Sequence, residues 1–166
     1  MITASQLTCE YRRDPIGLDT PRPRLSWILE SQQRAATQSA YQVLVAGSAE
    51  KLAADVGDKW DSGRAESDRS VNVAYEGAEL VSGEMCFWKV RVWDADGKAS
   101  EWSEPATFEM GLLEEADWQG TWIAAEAGIS APLLRKAFTI DGPVKRARAY
   151  VAGIGCHENS LYLRCP

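Results

Sequence analysis

The sequence predicts an all-β, antiparallel sandwich, and three observations carry that expectation. The run M-C-F-W-K-V-R-V-W, Met85 to Trp93, alternates strictly and is long enough to be a central strand. Several shorter alternating runs follow one another between Gly, Pro and Asp turn signals, without the helical crossovers that a parallel sheet needs. The chain also carries seven tryptophans. Each can bury about 150–250 Å², an upper bound of about 4–6 kcal/mol per ring at roughly 25 cal/mol/Å². Trp27, Trp60, Trp88 and Trp93 are read as packing residues.

In the central run, Trp88, Val90 and Val92 share one face, and Phe87, Lys89, Arg91 and Trp93 share the other. The second face is only half polar, because the stems of Lys89 and Arg91 can cover the indole rings. The spacing Leu80, Cys86, Val90 fits the penultimate strand of a fibronectin type III-like sandwich, and D-A-D-G-K-A-S-E-W-S-E-P-A-T-F-E-M reads as its turn and return strand.

Upstream, I-T-A-S-Q-L-T-C-E is an edge strand of modest alternation. R-R-D-P-I-G-L-D-T-P-R-P-R, with three prolines in thirteen residues, must be an irregular extended connection, since proline removes ladder donors. Leu25 to Leu29 resumes a strand with Leu25, Trp27 and Leu29 on one face, and Ala40 to Ala46 places Tyr41, Val43 and Val45 inward. Ser48 N-caps a short helix over A-E-K-L-A-A-D. K-W-D-S-G-R is a brief strand and turn, S-V-N-V-A-Y a further strand, and Gly83 marks the approach to the central one. Beyond Met110, a short acidic turn leads to Trp118, Trp122 and Ile123 in a new strand. P-L-L-R-K-A-F-T-I and V-K-R-A-R-A-Y-V-A are expected to be two more, joined by D-G-P. Those last roughly fifty residues are too few to close a core of their own.

The composition limits the partners. A net charge of -6 and a pI near 4.9 lack the basic footprint of nucleic-acid or anionic-membrane binding. No apolar run approaches 18 residues and no signal-like leader follows Met1, so a cytoplasmic location is the expectation. Cys9, Cys86, Cys156 and Cys165 show no C-x-x-C spacing and have one histidine to join them; they are read as free thiols. No cofactor or metal motif is present.

P-R-P-R-L-S-W, Q-S-A-Y-Q-V-L-V-A, K-W-D-S-G, F-W-K-V-R-V-W-D, S-E-W-S, F-E-M-G-L-L and D-W-Q-G-T-W-I, in this order, resemble the N-terminal part of bacterial α-L-rhamnosidases of glycoside hydrolase family 78. The resemblance runs from about Leu7 to about Glu158. It implies a fibronectin-like sandwich over 1–113, then over 114–166 the truncated start of a jelly-roll, carbohydrate-binding-like module. It also implies that the catalytic helical barrel, which in the family cleaves terminal α-L-rhamnosides with inversion, lies further along the polypeptide. Two departures stand out: Cys86 replaces a tyrosine, which removes that ring's corner hydrogen bond, and the text after Gly155 leaves the family pattern, as a reading-frame break near Asn159 would cause.

An inverting glycosidase needs two carboxyl groups about 6.5–9.5 Å apart across a sugar. The carboxylates here (Asp58 and Asp61, Glu101 and Glu104, Glu114, Glu115 and Asp117) sit in turns, where acidic residues are ordinary. His157 beside Glu158 and Cys156 offers no triad, because neighbours in a strand point to opposite faces. No catalytic residue is therefore assigned. The expected role is a non-catalytic accessory region of a rhamnosidase, partnered by the rest of that polypeptide. The alternative is a stand-alone sandwich that binds a rhamnose-containing glycan or a protein through Trp102, Trp118 and Trp122.

Overall fold

A computed structural model describes residues 2–125, 133–144 and 146–153. The chain divides into two compact units, Met1–Gly120 and Thr121–Pro166. The first holds seven strands in two antiparallel sheets. β1 (Ile2–Cys9), β2 (Arg24–Ser31) and β5 (Val73–Ala74) form one sheet in the order β1-β2-β5. β4 (Trp60–Asp61), β3 (Gln38–Ala46), β6 (Met85–Asp94) and β7 (Ala106–Glu109) form the other in the order β4-β3-β6-β7. This three-on-four arrangement is the expected immunoglobulin-like sandwich.

The core lies between the sheets. Cys86, Trp88, Val90 and Val92 of β6 meet Ile2, Ala4, Leu7, Cys9, Leu25 and Trp27 of the opposite sheet, with Val43, Val45 and Phe108 alongside. The edge strand has modest alternation for a physical reason. Gln6 takes a left-handed φ of 48°, and between Ser5 and Thr8 β1 advances three residues while β2 advances two. This bulge keeps Leu7 and Cys9 facing inward after Ile2 and Ala4. Cys9 and Cys86 are free and buried, and burial above all pushes both thiols up to about 12. Cys156 and Cys165 lie outside the described residues.

The proline-rich connection has a definite task. It crosses to the outer edge of β7, where Glu109 N–H donates to Pro15 O (2.9 Å), Leu18 N–H to Glu109 O (3.0 Å) and Thr107 N–H to Asp14 Oδ1 (2.7 Å). A parallel bridge joins Leu18 to Met110, and the approach at Gly111 is close: an added Cβ would lie 3.1 Å from the Gly17 carbonyl carbon. The exposed edge is thereby covered by an irregular segment whose Pro15 has no N–H to offer another strand. Cys86, the residue for which the resemblance implied tyrosine, packs fully buried in the core. Nearby in the same core, Tyr75 is buried and its Oη donates to Ala78 O at 2.7 Å.

Three expectations need correction. The S-V-N-V-A-Y strand shrinks to two residues, because Asn72 is left-handed and its N–H donates to Ser26 Oγ rather than to a ladder. The return strand, by contrast, forms as expected, over Ala106–Glu109 and antiparallel to β6. In the second unit, the strands foreseen over P-L-L-R-K-A-F-T-I and V-K-R-A-R-A-Y-V-A are not formed among the described residues. There Leu133, Leu134, Phe138, Ile140, Val144 and Val151 are exposed, and an alternating segment without a ladder partner or an opposing apolar layer gains nothing to offset its ordering entropy. Trp118, Trp122 and Ile123 likewise form no strand; Glu115–Asp117 is one turn of 3₁₀-helix.

Gln38 closes the sandwich at one end. It is buried, accepts from Trp27 Nε1 (3.0 Å), and donates to the carbonyls of Ser67 (3.0 Å) and Arg69 (2.9 Å). Gln38→Leu is expected to strand these three groups and lower stability by about 2–3 kcal/mol. A lower urea midpoint at unchanged m-value is the expected reading; an unchanged midpoint would show that the network contributes nothing.

Candidate functional site

The chemically richest surface of the first unit is the outer face of the four-stranded sheet. Across it, Ala46 opposes Phe87, Leu44 opposes Lys89, Gln42 opposes Arg91, and Ala40 opposes Trp93. A short helix, α1 (Ala49–Ala53), lies over one end. It is N-capped as expected by Ser48, whose Oγ accepts from Lys51 N–H at 3.3 Å, and it buries Leu52 against Leu44, Ala46, Phe87 and Trp102.

Trp102 reaches this face because of the two serines that flank it. Ser100 Oγ accepts from Val92 N–H (3.1 Å) and Ser103 Oγ from Val90 N–H (3.1 Å). The backbone N–H groups of Ser100 and Ser103 donate in turn to Val92 O and Val90 O (2.8 Å each). The S-E-W-S segment thus satisfies the edge of β6 with alternating side-chain and main-chain bonds in place of a regular ladder. Its tryptophan is left to lie across the sheet.

The result is a stack of cations and indoles. Arg64 lies 5.1 Å from the Trp93 ring, Arg91 5.1 Å from Trp93 and 4.6 Å from Trp102, and Lys89 5.0 Å from Trp102. Each cation also has a polar partner. Arg64 pairs with Glu66 at 2.9 Å, Arg91 donates twice to Gln42 Oε1 (2.9 and 2.7 Å), and Lys89 pairs with Asp55. Gln42 passes the chain on to Asp61 Oδ1 at 2.6 Å. Lys89 is only 8% exposed, and Asp55 stands just past α1 in a left-handed conformation. The Lys89 hydrogen bond, with help from the Trp102 indole, holds the Asp55 carboxyl below its usual range. The sequence signalled the two cations and the indoles of β6; it did not signal that α1 would supply the counter-charge.

The three tryptophans named from sequence are in different settings. Trp102 is half-buried within the stack, its ring engaged by two cations, rather than openly exposed. Trp118, in the first unit, is 40% exposed and packs on Gly120. Trp122, in the second, is 72% exposed.

The carboxylates have local structural partners. Asp58 accepts from Gly47 N–H (3.0 Å) and Lys51 Nζ (2.7 Å), and Asp61 from Gly63 N–H (2.8 Å) and Gln42. Glu114 and Asp117 form a capping box around the 3₁₀ turn. Glu101 and Glu104 are exposed beside the serine bonds. An open hollow at the other end of the sandwich, lined by Thr3, Leu29, Glu30, Ser31 and Gln32, contains one carboxylate, Glu30, which accepts from Ser5 Oγ at 2.6 Å. His157 and Glu158 lie outside the described residues, as does Cys156. Among the described residues no His, Cys, Asp and Glu side chains cluster as a metal site would need.

Comparison with known proteins places these features. The sequence model of the Rha78A-like, N-terminal immunoglobulin domain matches residues 4–114. An α-L-rhamnosidase of Streptomyces avermitilis is 50% identical over 126 residues, which is 75% of this chain and 12% of that protein. Another, from Formosa agariphila, is 33% identical over 172 aligned positions, covering 89% of this chain and 18% of its own length. The crystal structure of the Streptomyces enzyme complexed with L-rhamnose superposes on 76% of this chain and 12% of its own, with a TM-score of 0.73 at 47% identity. The chain therefore spans only 12% to 18% of the relatives it matches.

Two measurements probe the stack. Trp102→Ala is expected to cost about 2 kcal/mol or more by uncovering Leu52, Lys89 and Arg91, read as a lower thermal midpoint; an unaltered midpoint would assign the ring no structural role. The second concerns pH. Because the folded-state pKa of Asp55 is lowered, its contribution is fully present above the unfolded value of about 3.9 and is lost as pH falls through the folded value. The stability gap between the wild-type chain and Asp55→Asn should be constant near neutrality and shrink on acidification below about pH 4. A gap independent of pH would remove the pair from the account.

Proposed function

The chain belongs to the Rha78A-like N-terminal immunoglobulin domain family, and from this premise we propose that it is the non-catalytic N-terminal accessory region of an α-L-rhamnosidase. The observation that carries the reading is the share of length: three quarters of this chain aligns with an eighth part, 12%, of a rhamnosidase that is half identical to it. The sandwich contributes a rigid, acidic body that supports and positions the catalytic module carried by the rest of the polypeptide, which is its principal partner. The chain beyond the sandwich contributes the first part of a jelly-roll-like module, and the whole works in the cytoplasm. The internal use of the polar groups supports this role, since the cations, amides and carboxylates of the four-stranded sheet's outer face are engaged with one another.

A second reading rests on one observation, the exposure of Trp118 and Trp122. Indoles that present a free face can stack on a sugar ring, and a module of this kind would bind a rhamnose-containing glycan without cleaving it.

The two readings and catalysis separate in a single set of measurements on the purified chain. The accessory role predicts no release of aryl alcohol from an aryl α-L-rhamnoside above a buffer blank. It also predicts no saturable change in tryptophan fluorescence with L-rhamnose. Saturable quenching that disappears in Trp122→Ala would establish the second reading. Turnover that persists through repurification would overturn both.

A further inference from the structure

The segment that follows β7 does not leave the sandwich freely. Val81 to Glu84 forms a tight turn, with Glu84 N–H donating to Val81 O at 3.1 Å and Gly83 at φ 70°, the left-handed conformation a type II turn requires at that position. The turn is held twice more by one side chain: Glu84 Oε2 accepts from Val81 N–H at 3.1 Å, and its carboxylate pairs with the half-buried Lys59. Two backbone bonds tie this turn to the departing strand, Met110 N–H to Glu84 O (2.8 Å) and Gly83 N–H to Gly111 O (3.0 Å).

From the middle of the turn Ser82 extends the attachment outward. Its Oγ accepts from Leu113 N–H at 2.7 Å and donates to the Asp117 carboxylate. Asp117 also accepts from Glu114 N–H at 3.3 Å, which closes the capping box of the 3₁₀ turn, while the Leu113 side chain packs on the main core. A serine hydroxyl has one proton to give and lone pairs to receive, and here both capacities are used on the same exit segment.

We propose that Ser82 and Asp117 form a latch that fastens residues 111–118 to the sandwich, so that the rigid body ends at the 3₁₀ turn and not at the last strand. An accessory domain that positions its successor needs a stiff end, because a flexible tether would fix only a distance. The latch gives the proposed accessory role its mechanical basis; its geometry stands without that role, and its test involves no glycoside chemistry.

The test is amide hydrogen exchange on the full chain, read by mass spectrometry or NMR. In the wild-type chain Leu113 and Asp117 should exchange at least roughly tenfold more slowly than in an unstructured peptide. Ser82→Ala should release Leu113 by about that factor while the amides of β6 keep their protection, which separates loss of the latch from loss of the fold. Asp117→Ala leaves the Val81–Glu84 turn untouched and should release Leu113 and Glu114 in the same way, so the latch is tested even if Ser82→Ala fails to fold. Leu113 exchanging at the unprotected rate in the wild-type chain would overturn the proposal. So would protection at Leu113 that neither substitution reduces.

Discussion

Strand β6 has to be covered on both faces, and most of the remaining structure follows from that requirement. Its inner residues, Cys86, Trp88, Val90 and Val92, are wholly buried and demand a second sheet at the usual sandwich spacing. Its outer residues include Lys89 and Trp93, which are also buried, so this face cannot be left to water either. A buried ammonium is tolerable only with a counter-charge and a polarisable neighbour. Asp55 provides the first and Trp102 the second, and both are brought into place by elements outside the sheet: the end of α1 and the S-E-W-S segment. The cation and indole stack is therefore the second wall of the strand.

The edges of the sandwich obey a related constraint, since an open strand edge invites pairing with another chain. On the four-stranded sheet, β7 is closed by the proline-rich connection through Pro15 and Leu18. On the same sheet β4 is only two residues long. The long edge strand of the other sheet, β1, is interrupted by the bulge at Gln6. Prolines, a short strand and a bulge thus serve one purpose in three places.

Much of this was legible in the residues. The strict alternation from Met85 to Trp93 fixed which side chains face the core, and the Ser48 cap located the helix, because both depend on local geometry alone. Gln38 gave no such signal: a lone glutamine at a strand start is ordinary, and only the folded chain brings Trp27, Ser67 and Arg69 around it. Tyr75 is a similar case, its value depending on the loop at Ala78. The short β5 and the absence of strands among the described residues of the second unit have a common cause. Alternation records a preference for a pleated, half-buried surface, and the preference is realised only where a partner ladder exists. For the site, the indoles of Trp102, Trp118 and Trp122 looked alike in sequence, whereas their surroundings differ: one is held between cations and two present open surface.

These features describe a domain whose polar chemistry is directed inward, toward holding its own strands, edges and exit segment in place. That is the character the proposed accessory role requires. The most direct measurement exchanges modules: residues 1–120 of this chain replace the corresponding immunoglobulin domain of the Streptomyces avermitilis α-L-rhamnosidase, and the chimera is compared with the parent and with a deletion lacking that domain. The account predicts a soluble chimera with close to parental kcat and thermal midpoint. A chimera that folds yet performs no better than the deletion would contradict it.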